Sequence, residues 1–139
     1  MRAVIDTNIL VAALRSRRGA SYELLRMLRA KQWTLILSNP VVSEYEEILK
    51  RESMAIQLTL AEIDKLLDAL CSLAERWKLV HPWPRLLVDP DDEALAHLAW
   101  EAKADCLVTF NLRHLAPLRT LNIPVLTPGE FLSRVRAVS

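Results

Sequence analysis

The chain has 139 residues, 52% of them apolar and 25% charged, proportions that fit one globular domain over 1–139 and exclude a disordered or membrane-embedded polypeptide. Its 18 Lys and Arg against 17 Asp and Glu leave a net charge of +1, too little to hold duplex DNA by a bulk positive field, so any nucleic-acid contact must come from a local patch. Two glycines, Gly19 and Gly129, argue against the clustered-glycine loops that cradle nucleotide phosphates, and two cysteines, Cys71 and Cys106, allow one bridge but no disulfide framework.

No apolar run reaches membrane-spanning length, and Asp6 falls too early for a signal peptide, so a cytoplasmic setting without a membrane is expected. Ala3-Val4-Ile5 reads as a strand buried on both faces, ending at Asp6. Thr7 to Leu14 reads as a helix, broken by Ser16-Arg17-Arg18-Gly19, and a second helix runs from Tyr22 to about Lys31. Trp33 to Leu37 is the second expected strand. Ser38-Asn39-Pro40 then starts a helix with a capping residue and a proline, burying Val41, Tyr45, Ile48 and Leu49. The longest helical pattern runs from Thr59 to about Trp77, and Lys78-Leu79-Val80 reads as a short strand. Asp89-Pro90-Asp91-Asp92 opens the next helix, Cys106-Leu107-Val108 is a continuous apolar strand ending at Thr109, and a short helix from about Leu112 to Leu118 follows. Ile123 to Leu126 is the last expected strand, its proline suiting an edge, and Pro128 starts the closing helix.

Strands alternating with helices imply βαβ units, hence an α/β fold with a mostly parallel sheet between helical layers. In such sheets ligands bind at the strand C-termini. Asp6 follows the first strand there, Thr109 and Asn111 follow the fourth, Asp91 and Asp92 head a helix, and Glu44 lies one turn into the helix after the second strand. Carboxylates gathered without Cys or His pairs are hard oxygen ligands, suited to Mg²⁺ or Mn²⁺, and such a cation would relieve their mutual repulsion. Each residue also has a plainer role open to it. Asp6, Asp91 and Asp92 fit helix caps, Asn111 fits a turn, and the helical period places Glu44 and Glu46 equally beside the apolar stripe.

The motifs together resemble the PIN-domain family. Val4-Ile5-Asp6-Thr7-Asn8 is similar to its opening motif, Ser38 with Glu44 to its second, Asp89-Pro90-Asp91-Asp92 with Leu95, Ala96 and Ala99 to its third, and Ala104 to Asn111 to its fourth. The branch resembled most is that of the toxin components of toxin–antitoxin systems related to the VapC toxins. The resemblance implies a three-layer α/β/α sandwich with four or five strands and a metal-dependent ribonuclease activity. It implies Asp6, Glu44 and Asp92 as the catalytic, metal-site acids, favouring Glu44 over Glu46. Asp91 is an alternative ligand, and Thr7, Asn8 and Thr109 are supporting polar groups. Two positions depart from the family pattern: Asn111 is neutral where a fourth acid is usual, and Phe110 stands where glycine is common.

On this reading Mg²⁺ or Mn²⁺ activates water for phosphodiester hydrolysis. Arg15, Arg17, Arg18 and Arg113, with His114, are candidates to rim the cleft and hold single-stranded RNA, although each also fits a solvated loop. An antitoxin covering the cleft and a homodimer are the partners the resemblance implies. Two other functions compete. One is a catalytically degenerate PIN-like module that binds RNA or a protein partner, in keeping with Asn111. The other is a haloacid-dehalogenase-like phosphatase, which wants Asp-x-Asp where this chain has Asp6-Thr7-Asn8.

Overall fold

Ala3, Val4 and Ile5 of strand β1 (Arg2–Ile5) are fully buried, as a strand covered on both faces requires. Around β1 the computed structural model, which describes residues 1–85 and 89–138, builds a five-stranded sheet. Strands β2 (Thr34–Ser38), β3 (Glu75–Trp77), β4 (Cys106–Val108) and β5 (Val125–Leu126) pair in parallel in the order β3-β2-β1-β4-β5. The expected α/β sandwich is therefore present, with a sheet that is wholly parallel.

The helices are α1 (Thr7–Arg15), α2 (Ala20–Arg29), α3 (Asn39–Arg51), α4 (Ser53–Ile56), α5 (Leu60–Leu73), α6 (Pro90–Glu101), α7 (Leu112–Leu115) and α8 (Pro128–Ala137), with a 3₁₀ turn over Ala116–Leu121. Their starts are chemically specified. Ser38 accepts from the Val41 amide at 3.4 Å, and Thr59 with Glu62 and Thr127 with Glu130 form reciprocal capping boxes. The chain steps outward from β1 to β2 and β3, then returns to lay β4 on the other side of β1. Right-handed crossovers consequently place α1 to α5 on one face, where α2 also packs on α8, and α6 on the other face, against β1 and β2.

Four expected elements have other bounds. The long helix stops at Leu73 rather than Trp77, because Ala74 turns extended and Glu75–Trp77 pair with β2. The third strand is thus Glu75–Trp77, not Lys78-Leu79-Val80. The helix expected to run from Leu112 to Leu118 stops at Leu115 and tightens to 3₁₀, since Pro117 has no amide to continue the ladder. Ile123 lies before β5, its amide still bonded to the Leu118 carbonyl. Cys71 and Cys106 are both unbridged.

Arg2 ties the sheet together at the strand N-termini. Its guanidinium meets Glu75 at 2.5 Å and 3.1 Å and donates to the carbonyls of Ala102 and Lys103, while its amide donates to Asp105 at 2.7 Å. Asp105 therefore lies at the end of the sheet opposite Asp6, as its place before the fourth strand implies.

At the other end, the Tyr45 hydroxyl is fully buried and donates to the Ile5 carbonyl at 2.5 Å, joining α3 to the last residue of β1. Tyr45→Phe removes one buried hydrogen bond and leaves its shape. It should lower the free energy of unfolding by about 1 kcal/mol, read by urea denaturation.

Candidate metal centre and nucleic-acid cleft

The strand order reverses between β1 and β4, and a cleft of about 480 Å³ opens at their C-terminal ends. Asp6, Asn8 and Arg15 line it from α1 and its approach, Glu44, Ile48 and Glu52 from α3, Asp91 and Asp92 from α6, and Phe110 and Asn111 from the loop after β4.

Asp6 occupies the cap position of α1 but closes no side-chain cap hydrogen bond. Its carboxylate instead accepts from the Thr109 hydroxyl at 2.7 Å, and Thr109 is itself fully buried and accepts from the Asn111 amide at 3.0 Å. Burial pushes the Asp6 carboxyl above its ordinary range. The Thr109 hydroxyl and the facing amides of Thr7 and Asn8 pull it back, and Asp89 adds repulsion.

Asp89, rather than Asp91 or Asp92, caps α6, accepting from the Asp91 amide at 2.9 Å. Asp92 is thereby left free to turn inward. It is 8% exposed, and its Oδ2 is buried with no hydrogen-bond partner among the described residues. Burial first, then Asp6 and Asp89, push its carboxyl up to about 6, against the opposing pull of His114. Asp91 is exposed on the cleft wall.

Glu44 is half-buried and faces this group. Burial, followed by repulsion from Asp6, Asp91, Asp92 and Asp89, raises it to about 7. Glu46 points the other way, pairing with Lys50 at 3.1 Å, and Lys50 also meets Asp64 at 2.9 Å. The alternative that helical period left open is thus separated by packing.

Of the supporting polar groups, Thr7 Oγ1 and Asn8 Oδ1 are buried without hydrogen-bond partners among the described residues. Asn111 is exposed at the cleft wall. Arg15 lines the cleft, Arg18 lines a neighbouring groove, and Arg17 and Arg113 are exposed on the two flanking loops.

Glu52 and Asp89 add acidic character that the sequence reading did not assign. Glu44, Ile48 and Glu52 share one helical stripe at four-residue spacing, so periodicity carried a signal for Glu52. Asp89 was hidden by its capping role.

The donor set fits a divalent cation: clustered hard oxygens, with Glu44 and Asp92 made harder to ionise by burial and then by neighbouring acids, and one buried carboxylate oxygen unsatisfied. Among the described residues no three of these groups close to ligand geometry around one point.

An α/β sheet with an acidic cleft at its switch point defines the class. The chain belongs to the PIN-domain family, whose model matches residues 2–113, a family made up in general of nucleases. No curated protein matches it. Among solved structures, it is similar to a chain of the crystal structure of VapBC2 from Rickettsia felis bound to a DNA fragment from their promoter. That likeness has 22% identity and a TM-score of 0.61, and covers 90% of this chain and 97% of the other.

The raised carboxyls make a signed prediction. A group whose folded-state pKa exceeds its unfolded value contributes stability at low pH that disappears as pH rises through the folded value. For Glu44 the window runs from its ordinary 4.5 to about 7. In chelator, Glu44→Gln and wild type should melt together at pH 4.5, and the variant should melt higher at pH 8, read by thermal unfolding across that range. Added Mg²⁺ or Mn²⁺ should stabilise wild type more than the variant.

Proposed function

We propose that the protein is a metal-dependent endoribonuclease acting on single-stranded RNA, and the toxin of a toxin–antitoxin pair working in the cytoplasm. The observation that carries this reading is the unsatisfied Asp92 oxygen facing Asp6 and Glu44 in a cleft at the strand C-termini. Membership of the PIN-domain family supports a nuclease. The likeness to a VapBC chain supports a toxin role with an antitoxin as partner, since that neighbour is an assembly of the two proteins on promoter DNA. A second copy of the chain is the other partner proposed. No helix among the described residues is long and apolar enough to cross a membrane.

Asp6, Asp92 and Glu44 would hold the cation, Mg²⁺ or Mn²⁺, with Asp91 able to join from the exposed wall. Such a cation, when bound, would supply Lewis-acid stabilisation of the phosphate and lower the pKa of water. The chain's own groups do the rest. Thr109 holds the Asp6 carboxylate at the cleft wall through the 2.7 Å hydrogen bond. Glu44, pushed up to about 7 by burial and by the neighbouring acids while no cation is bound, would ionise on binding one and could then either ligate it or orient a water. Arg15 offers a cation on the same wall for a substrate phosphate.

Purified wild type should cut a mixed single-stranded RNA in Mn²⁺ or Mg²⁺ and not in EDTA. Asp6→Asn should lose at least about 100-fold in rate while remaining folded, given that losing even an outer partner of a metal site costs 10- to 100-fold. Thr109→Val, which deletes that outer partner alone, should lose roughly 10- to 100-fold in the same gel assay. Equal cutting by wild type and Asp6→Asn, or cutting that persists in EDTA, overturns the reading.

A second function is favoured by the neutral amide at Asn111: a module that binds RNA or a protein without cutting. It predicts no cleavage with any metal and no stabilisation by Mg²⁺ or Mn²⁺.

A further inference from the structure

Phe110 is 50% exposed, directly after the buried Thr109. A single exposed apolar residue ordinarily needs no explanation, but this ring divides two grooves. On one side it lines the carboxylate cleft; on the other it lines a groove of about 380 Å³. Ala12 also lines both, so the two grooves adjoin at the ring.

The second groove lies where the N-termini of α2 and α8 come together. Gly19, Ala20 and Ser21 line it from α2, and Thr127, Pro128 and Gly129 from α8. Gly19 takes a positive φ of 107° to start α2 and supplies no side-chain cap. Ser21 is 7% exposed, and no hydrogen bond engages its hydroxyl among the described residues. The exposed Arg18 stands at the edge. The walls are thus an aromatic ring, alanines and a proline, with an open hydroxyl between them and positive character at one side.

We propose that this groove is a nucleotide subsite. With the scissile phosphate at the carboxylates, the base of an adjoining nucleotide stacks on Phe110, and Arg18 holds a backbone phosphate beside it. The proposal rests on the ribonuclease reading above. Three features favour nucleic acid over a protein segment. The groove adjoins the carboxylate cleft at Phe110, it sets a half-exposed aromatic ring beside alanines and a proline, and its charged contributor is a cation able to bind phosphate bidentately. Stacking on the ring requires an unpaired base, so the subsite selects single strands.

The test is fluorescence anisotropy with a labelled single-stranded RNA of mixed sequence, using the full chain carrying Asp6→Asn so that the strand stays intact. An abasic site is walked along the RNA one position at a time. Phe110→Ala should weaken binding of the intact RNA about tenfold, and Phe110→Tyr should preserve it. At one position the abasic site should weaken the parent by a similar factor and leave Phe110→Ala unaffected, because both remove the same stack. Arg18→Gln should weaken binding and make it less salt-dependent, by about one released counterion. Unchanged melting by circular dichroism checks the fold of each variant.

Equal RNA affinity for Phe110→Ala and its parent, or losses that simply add at every abasic position, overturns the subsite and leaves the groove to a protein segment or to solvent. If that happens while wild type still cuts RNA in metal, the subsite alone fails. If wild type neither binds nor cuts RNA, the ribonuclease reading fails and the subsite falls with it.

Discussion

Two adjacent parallel strands, β1 and β4, end side by side, and the first side chains beyond them are Asp6 and Thr109. Their hydrogen bond of 2.7 Å fixes a carboxylate where the backbone alone would leave it to cap a helix. Asp6 is 7% exposed, so its charge is held in a place where water solvates it poorly. Two neighbouring acids share that problem. Glu44 and Asp92 stand high on the pH scale because they are partly out of water and, after that, because Asp6 is there. The site is a set of groups that cannot all be charged comfortably without a cation among them.

The same constraint explains why packing around the cleft is divided by function. α6 brings Asp92 inward only because Asp89 has taken the capping duty. α3 brings Glu44 inward because Tyr45 next to it is anchored on the Ile5 carbonyl, whereas Glu46 is drawn outward to Lys50. At each helix one acid serves the secondary structure or the surface and the other serves the cleft, with only one or two residues between the two.

Much of this was readable in the residue order. Continuous apolar runs ending in Asp6 and Thr109 mark buried strands and the edge at which they stop, and Ser38-Asn39-Pro40 and Asp89-Pro90 mark helix starts by their chemistry. What failed to show was any boundary set by tertiary pairing. Leu73 and Trp77 sit four residues apart and imitate a helical stripe. No glycine or proline interrupts them, and only the pairing of Glu75–Trp77 with β2 and the reach of Arg2 to Glu75 end the helix. Glu44 and Glu46 are equivalent on a wheel because the wheel has no partner for Tyr45 or Lys50. Glu52 was legible at four-residue spacing from Ile48 but sits at the cap just beyond α3, where an acid reads as surface.

The Arg2 network has a consequence for how the sheet bears its load. One guanidinium grips the start of β3 and two carbonyls before β4, while the Arg2 amide takes the Asp105 carboxylate. The strands are clamped at the end where no chemistry is assigned, and the repelling acids sit at the far end. Electrostatic pressure at the mouth therefore acts on a fan that is pinned at its handle. Strand register is thus held by contacts remote from the acids that repel one another.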